Sequence, residues 1–379
     1  MKPYTIAIVG AGLSGIFAAY LLEKSGITDY VVLEASGKLG GRIRSEDVGT
    51  SSGGRVDLGP SWYWPDMQPV LDDLVHSLGL RAYAQHEEGA MMVERSPEQA
   101  PGRYPGYASA PTSMRIEGGM LALVQALADS IPQVRLRLDQ RVAHIRCVND
   151  SVEIETQAAS GQCSVVHAGR VLLALPPRLA VASIQFTPEL PRDVQEEWRH
   201  TATWMAPHAK YVAVYPEPFW QADGLSGAAR SFTGPMTEIH DASVPGGAGA
   251  LFGFLGVPAP TRKRLSEDAL RRLCRAQFVR LFGPEAAHPT AEWLADWSQS
   301  PLTATADDAL ADGSHPHPPV SGIASGPWAQ RIHGIASEWS MSYAGYVAGA
   351  IEAGAAGVAL LLRDPDLGKA PTAKESARA

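Results

Sequence analysis

An α/β fold is predicted by three observations. The chain of 379 residues is long enough for two domains. Near its start a short apolar run, Ile6–Val9, meets the three glycines of GAGLSG and then a helix-forming stretch. A second apolar run, YVVLE, follows and closes on an acid. Strand, glycine turn, helix and strand in that order make a βαβ unit, the building block of a parallel sheet.

Each element has a physical reason. Ile6–Val9 suits a strand buried on both faces, Gly10–Gly15 a tight turn, and Ile16–Lys24 a helix that stops at Gly26. The apolar stretch Ile6–Leu22 has the look of a secretion leader, yet its regularly spaced glycines argue for folded core. Gly10 permits the turn, Gly12 lets backbone approach a pyrophosphate, and Gly15 lets helix and strand pack closely. Leu13 and Ser14 of the same turn are expected to contact the cofactor, and the N-terminus of the helix that follows attracts an anion. Glu34 lies nineteen residues past Gly15, where a carboxylate can accept hydrogen bonds from ribose hydroxyls and would repel a 2′-phosphate. The segment therefore reads as a dinucleotide site.

Composition narrows the functional classes. With 45% hydrophobic and 19% charged residues the chain is an ordinary globular protein, and its net charge of -8 disfavours a nucleic-acid partner while suiting cationic small molecules. Cys147, Cys163 and Cys274 are widely spaced and odd in number, against both a disulfide framework and a thiolate metal site. Cys274 sits in the helical stretch SEDALRRLCRAQFVRLF and reads as a packed, inert thiol. His315 and His317 of GSHPHPP have no nearby acid or cysteine and read as a solvated loop; no metal is expected.

Residues 208–220, HAKYVAVYPEPFW, form a strand and a turn. Taken alone, Lys210 at the strand's head reads as an edge cation that discourages strand pairing.

After Glu34 and Ala35 come Gly40, Gly41, Arg42 and Arg44 of GKLGGRIRS, glycines for close backbone approach and arginines for phosphates. VDLGPSW follows, with Gly59, Pro60, Ser61 and Trp62 in its turn. GxGxxG, a strand-end acid, GGR and a DLG turn in this order resemble the flavin-containing amine oxidase family, and the resemblance runs along most of the chain. IEGGMLALVQALA is similar to the family's GGM-type helix. QRVAHI is similar to the strand whose valine, here Val142, touches the adenosine end, and VLLALPP to the strand and turn that leave the FAD domain. ASEWSMSYAGYVAGAIEAG resembles the closing segment, which implies that Glu338, Tyr346 and Val347 contact the cofactor and that a helix N-terminus near Gly345 faces the flavin. KYVAVYPEPFW resembles the strand whose lysine holds a water against flavin N5, which gives Lys210 a catalytic role beside Tyr346, one wall of an aromatic cage.

The resemblance implies an α/β architecture of the amine oxidase and glutathione reductase type: a Rossmann-like FAD domain with a discontinuous mixed-sheet substrate domain. We expect the FAD domain in residues 1–66, 113–182 and 303–366, the substrate domain in 67–112 and 183–302, and a flexible tail in 367–379. The implied reaction removes a hydride from the carbon next to an amine nitrogen. The resulting imine is hydrolysed, and dioxygen reoxidises the flavin to yield hydrogen peroxide. Another FAD-dependent dehydrogenation or desaturation, or an FAD-stabilised scaffold with little turnover, are the alternatives.

Departures from the pattern shape further expectations. Residues 63–118 offer one amphipathic helix, Pro69–Leu78, then a Pro/Gly/Ser-rich loop through Thr112, where the family places a long helical roof; a more open site follows. ADWSQSPLTATADD has no cysteine to attach the flavin, so FAD is expected to be non-covalent. The same window lacks the second cage aromatic; Trp62, Trp64, Trp297, Trp339 and Tyr343 are the candidates to replace it. Ser337 stands where the family prefers glycine, weakening Glu338 as a ligand. The tail after Leu362 is polar, so no membrane anchor and a cytoplasmic location are expected. The sequence does not name the amine or the oligomeric state.

Overall fold

The computed structural model describes residues 3–49, 54–310, 315, 317–364 and 367. It divides into two compact units, one of residues 1–41, 127–203 and 315–379, the other of 42–126 and 204–314. The expected flexible tail lies, apart from residue 367, outside the described residues.

The first unit is built on an eight-stranded mixed sheet. Tyr4–Val9 runs parallel to Tyr30–Leu33 on one side and to Cys163–Leu173 on the other. Ile6, Ala7 and Ile8 are 0% exposed, as a strand covered on both faces requires. Cys163–Leu173 changes partners along its length. Cys163–Ala168 pairs antiparallel with Ser151–Gln157, whereas Val171–Leu173 pairs parallel with Ile332–Gly334. The helix Leu13–Lys24 begins three residues earlier than its apolar pattern suggested, because Gly12 serves as its N-cap in extended conformation. It packs on the long C-terminal helix Val347–Leu362. A Cβ on Gly354 would come within 3.1 Å of the Ser14 carbonyl, so the small-residue helix is there to allow close packing.

The second unit carries a seven-stranded sheet in the order Ala291–Asp296, Ala209–Tyr215, Gly249–Leu255, Met236–Asp241, Leu225–Ser231, Ala90–Glu94 and Gly102–Tyr104. All seven residues of Ala209–Tyr215 are buried. Alternation sends Tyr211, Ala213 and Tyr215 into a core shared with the helix Glu267–Phe282, and Val212 and Val214 into a core with Val56, Leu58 and Phe252. Cys274 is fully buried in that helix and burial pushes its thiol up to about 12, an inert group as expected.

Two expectations differ from these findings. The stretch from Leu78 to Thr112, expected as loop, contains the strands Ala82–Ala84, Ala90–Glu94 and Gly102–Tyr104. Ala90–Glu94 pairs with Leu225–Ser231, a partner some 130 residues distant that local composition does not reveal. Compact packing also groups segments otherwise than the expected domain limits. Val48, Val56 and Leu58 share a core with Val212 and Val214, while Leu190, Val194 and Trp198 pack with Trp328 and Trp339 in the first unit.

Candidate active site

In the first unit the glycine turn is shaped by its surroundings. A Cβ on Gly10, whose φ is +103°, would lie 2.8 Å from the Ala174 carbonyl oxygen, and one on Gly15 would lie 2.0 Å from the Gly10 carbonyl. Both positions demand glycine for packing. Gly12 differs. Its nearest neighbour would be the Gly40 carbonyl at 3.8 Å, so packing within the protein does not explain this glycine, and the space beside it is open for the close approach of a ligand. Gly12 and Gly40 form an isolated parallel bridge, and the Gly40 N–H donates to the Ala11 carbonyl at 2.9 Å. No side chain caps the helix behind them, which leaves its first N–H groups for an anion.

Glu34 closes the cradle. One carboxylate oxygen accepts from the Ala11 N–H at 2.7 Å and the other from the Ser36 N–H at 2.9 Å, so the side chain is held by the glycine turn on one side and by the chain after Ala35 on the other. A carboxylate oxygen can accept more than one hydrogen bond, and ribose hydroxyls remain compatible with this arrangement. Open backbone at Gly12, an uncapped helix start and an anchored acid fit a dinucleotide. Val142 is buried in the unit's core beside an irregularity in its strand pairing.

The C-terminal segment builds a second feature in the same unit. Gly345, at φ +85°, donates to the Ser337 carbonyl at 3.1 Å, and the Tyr346 N–H donates to the Tyr343 carbonyl at 2.9 Å. This turn makes Tyr346 the N-cap of the helix that Val347 begins. Glu338 is fully buried, and the Ser337 hydroxyl donates to it at 3.3 Å, so the serine that departs from the family pattern takes up one of its oxygens. His315 stacks on Tyr346 with ring centroids 4.9 Å apart and planes 16° from parallel. Its Nε2 lies 3.3 Å from the Tyr346 hydroxyl and its Nδ1 3.3 Å from the Ala344 carbonyl. The reading of His315 as a purely solvated loop residue is thereby corrected: its ring is exposed yet has a specific aromatic partner.

Lys210 in the second unit is not an edge cation. Its strand is internal, pairing with Phe254 on one side and Ala295 on the other, and the side chain is 2% exposed. Nζ donates to the Ser61 hydroxyl at 2.7 Å and to the Gly59 carbonyl at 3.1 Å, and stands 3.9 Å from the Phe252 ring centroid. Loss of water around the charge lowers its pKa to about 7; the Asp57 carboxylate opposes this and the Arg115 charge adds to it. The rings of Phe252 and, at 5.8 Å, Phe254 favour the cation, but such contacts are too small to offset full burial. Gly59 is imposed by packing, because a Cβ would meet the Arg42 carbonyl at 2.2 Å.

The aromatic candidates separate. Trp62 packs edge-on against His240 at 4.9 Å and at a tilt of 50° against Phe252 at 5.3 Å, with its indole N–H given to Gln85. Trp297 donates to the Leu58 carbonyl and Trp64 to the Ser113 hydroxyl. Tyr343 is half-buried and belongs to the turn before Tyr346. Trp339 is core: it meets Trp198 edge-on and donates to Val320. The structure thus adds Phe252 and His240 around Trp62 and His315 around Tyr346. Alternation in GALFGFL placed Phe252 opposite Lys210's neighbours, a signal the sequence held; nothing local linked His315 to Tyr346 across thirty residues.

Comparison with known proteins agrees with this geometry. The family model described as flavin containing amine oxidoreductase matches residues 103–362, and an NAD(P)-binding Rossmann-like domain matches residues 8–95. A Mycobacterium tuberculosis sequence named as a flavin-containing monoamine oxidase, AofH, is 32% identical over 262 residues, 65% of this chain and 53% of that one. The chain therefore spans about half the length of that relative. Putrescine oxidase of Kocuria rosea is 24% identical, covering 84% of this chain and 88% of its own. Among solved structures, putrescine oxidase bound to putrescine superposes with a TM-score of 0.76 at 21% identity, covering 95% of this chain and 99% of that one. Cyclohexylamine oxidase from Brevibacterium oxydans gives 0.77 at 20% identity, with 95% and 98% coverage. These two show the shared fold. The glycine cradle with its strand-end acid, the internal lysine and the match over most of the chain lead to one assignment: the chain belongs to the flavin containing amine oxidoreductase family.

Proposed function

We propose that the chain is an FAD-dependent oxidase that removes a hydride from the carbon next to an amine nitrogen, with dioxygen as the electron acceptor. When bound, FAD supplies the two-electron acceptor chemistry and passes the electrons to oxygen. Gly12, the start of the Leu13–Lys24 helix and Glu34 would hold its dinucleotide portion, with Gly41, Arg42 and the Gly59–Trp62 turn as further contacts. Val142, Glu338, Tyr346 and Val347 complete the proposed cofactor contacts. No covalent link is expected, since Cys274 is buried in a helix packed on the other sheet face and the 295–308 window holds no cysteine.

One observation carries the catalytic part of this reading: Lys210 is an amine buried inside a sheet, 2% exposed, with Nζ on Ser61 and Gly59, and this burial lowers its pKa to about 7. Its neutral form has two N–H bonds and one lone pair. Ser61 and Gly59 take up the two donors, which leaves the lone pair to accept a proton or orient a water. Tyr346 supplies a rigid aromatic face for the substrate, and Trp62 and Phe252 an apolar lining beside Lys210. The amine must be neutral when it reacts, and an apolar lining favours that form.

The test is an anaerobic screen of amines, polyamines and amino acids for bleaching of the flavin band, then admission of air with a peroxide assay. Bleaching followed by rapid recovery and peroxide supports the oxidase. Bleaching with slow recovery points to a dehydrogenase, and no bleaching by any amine to a scaffold.

A further inference from the structure

The second unit contains a cavity of about 920 Å³ whose chemistry the amine-oxidation reading does not use. Its lining includes Arg115, which is 2% exposed. That guanidinium makes one long hydrogen bond, from Nη1 to the Ser243 carbonyl at 3.4 Å, and its Nε is buried with no hydrogen-bond partner. His86 lines the same cavity, and its Nε2 is also buried without a partner. A buried guanidinium is ordinarily matched by a carboxylate, because an arginine in the interior cannot lose its proton. Here no ion pair involving Arg115 is formed among the described residues.

The acids on the same wall are engaged elsewhere and do not pair with it. Asp241 gives one oxygen to the Ser243 N–H and the other to Trp220, Gln221 and the Ser243 hydroxyl. Glu87 accepts from the Ser109 N–H at 2.6 Å, and Glu88 is exposed to solvent. A buried guanidinium on the cavity lining with one long hydrogen bond and no carboxylate partner calls for an acceptor that the protein does not contribute. The Tyr83 ring lies 5.6 Å from the Arg115 guanidinium carbon, and Tyr107 and Val244 line the same space, so the body beside the acceptor is flat or apolar.

We propose that this cavity binds a small organic carboxylate, with Arg115 on its oxygens and the tyrosine rings along its body. A planar carboxylate matches the guanidinium fork better than any neutral acceptor. The carboxylate could be part of the amine being oxidised or belong to a separate acid. The site itself does not rest on the amine-oxidation reading; only this choice of source does.

The decisive measurement is calorimetric titration of the FAD-loaded protein with benzoate and with benzamide, which share a shape and differ in charge. Benzoate should bind at least about tenfold more tightly, as expected for a charge-assisted pair, and Arg115→Gln should erase the preference while Arg115→Lys keeps part of it. Equal binding of the two ligands, absence of binding, or a preference unchanged in Arg115→Gln overturns the proposal. Should Arg115→Gln fail to fold, Ala108→Trp, at an exposed position on the lining, must block benzoate; undiminished binding there overturns it equally. Steady-state rates then identify the source. Competition between benzoate and amine, with Arg115→Gln raising KM only for carboxylate-bearing amines, assigns the carboxylate to the substrate. An effect of benzoate on kcat without competition assigns it to a separate acid.

Discussion

Lys210 gives a hydrogen bond to Ser61 across 2.7 Å, joining the internal strand Ala209–Tyr215 to the turn that follows Arg55–Asp57. Ser61 is 5% exposed and Lys210 2%, so the pair lies almost wholly out of water. Nothing about a lysine requires such burial for folding, and the desolvation cost is concentrated on one group with a restricted set of partners.

Lys210→Met keeps length and apolar packing but removes the amine. The variant should fold and retain FAD, while flavin reduction or its reoxidation by oxygen slows by about tenfold or more, since one positioned acid or base group is typically worth ~10²-fold. Stopped-flow measurement of both half-reactions checks this, and normal rates in each would return Lys210 to a structural role.

The same variant makes a prediction for stability against pH. The folded pKa of Lys210, near 7, lies below its unfolded value, so between the two the unfolded chain binds more protons. The cost of burying the charge is complete below pH 7 and fades as pH rises toward the ordinary lysine range. Lys210→Met should therefore be more stable than the parent at pH 6, by an amount on the order of a few kcal/mol, and the advantage should shrink steadily above pH 7. Denaturant melts of the two proteins across that range measure it; a difference independent of pH would mean that Lys210 keeps its ordinary pKa.

Glu34→Arg replaces an acceptor anchored by two backbone N–H groups with a cation that can accept from neither. Weaker FAD retention is expected, by about tenfold or more given the loss of several charge-assisted hydrogen bonds. Equilibrium dialysis of the apoprotein with FAD provides the number, and unchanged affinity would remove Glu34 from the cofactor site.

Tyr346→Leu should lower amine oxidation more than Tyr346→Phe, because Phe keeps the aromatic face and the stack with His315 and loses only the hydroxyl contact. Equal losses with FAD retained would assign the effect to the hydroxyl. Comparing kcat and KM for both variants with one amine decides it.

FAD should leave the protein on acid precipitation or heating. Flavin absorbance in the supernatant is the expected result, and colour held in the pellet would demand a covalent link.

The nucleotide cradle was legible in the sequence because its parts are local. Gly10, Gly12, Gly15 and Glu34 act through backbone shape and short spacing, and the strand and helix around them follow from apolar pattern alone. Only the tertiary structure decided the meaning of Lys210. The head of a β-branched run looks the same whether its strand lies at an edge or inside a sheet, and the difference is made by Phe254 and Ala295, which lie 44 and 85 positions further along the chain. The strand Ala90–Glu94, the stack of His315 on Tyr346 and the isolation of Arg115 are of the same kind. Each depends on what distant segments bring, or fail to bring, within a few ångströms, and desolvation and hydrogen bonding act at that range without regard to separation along the chain.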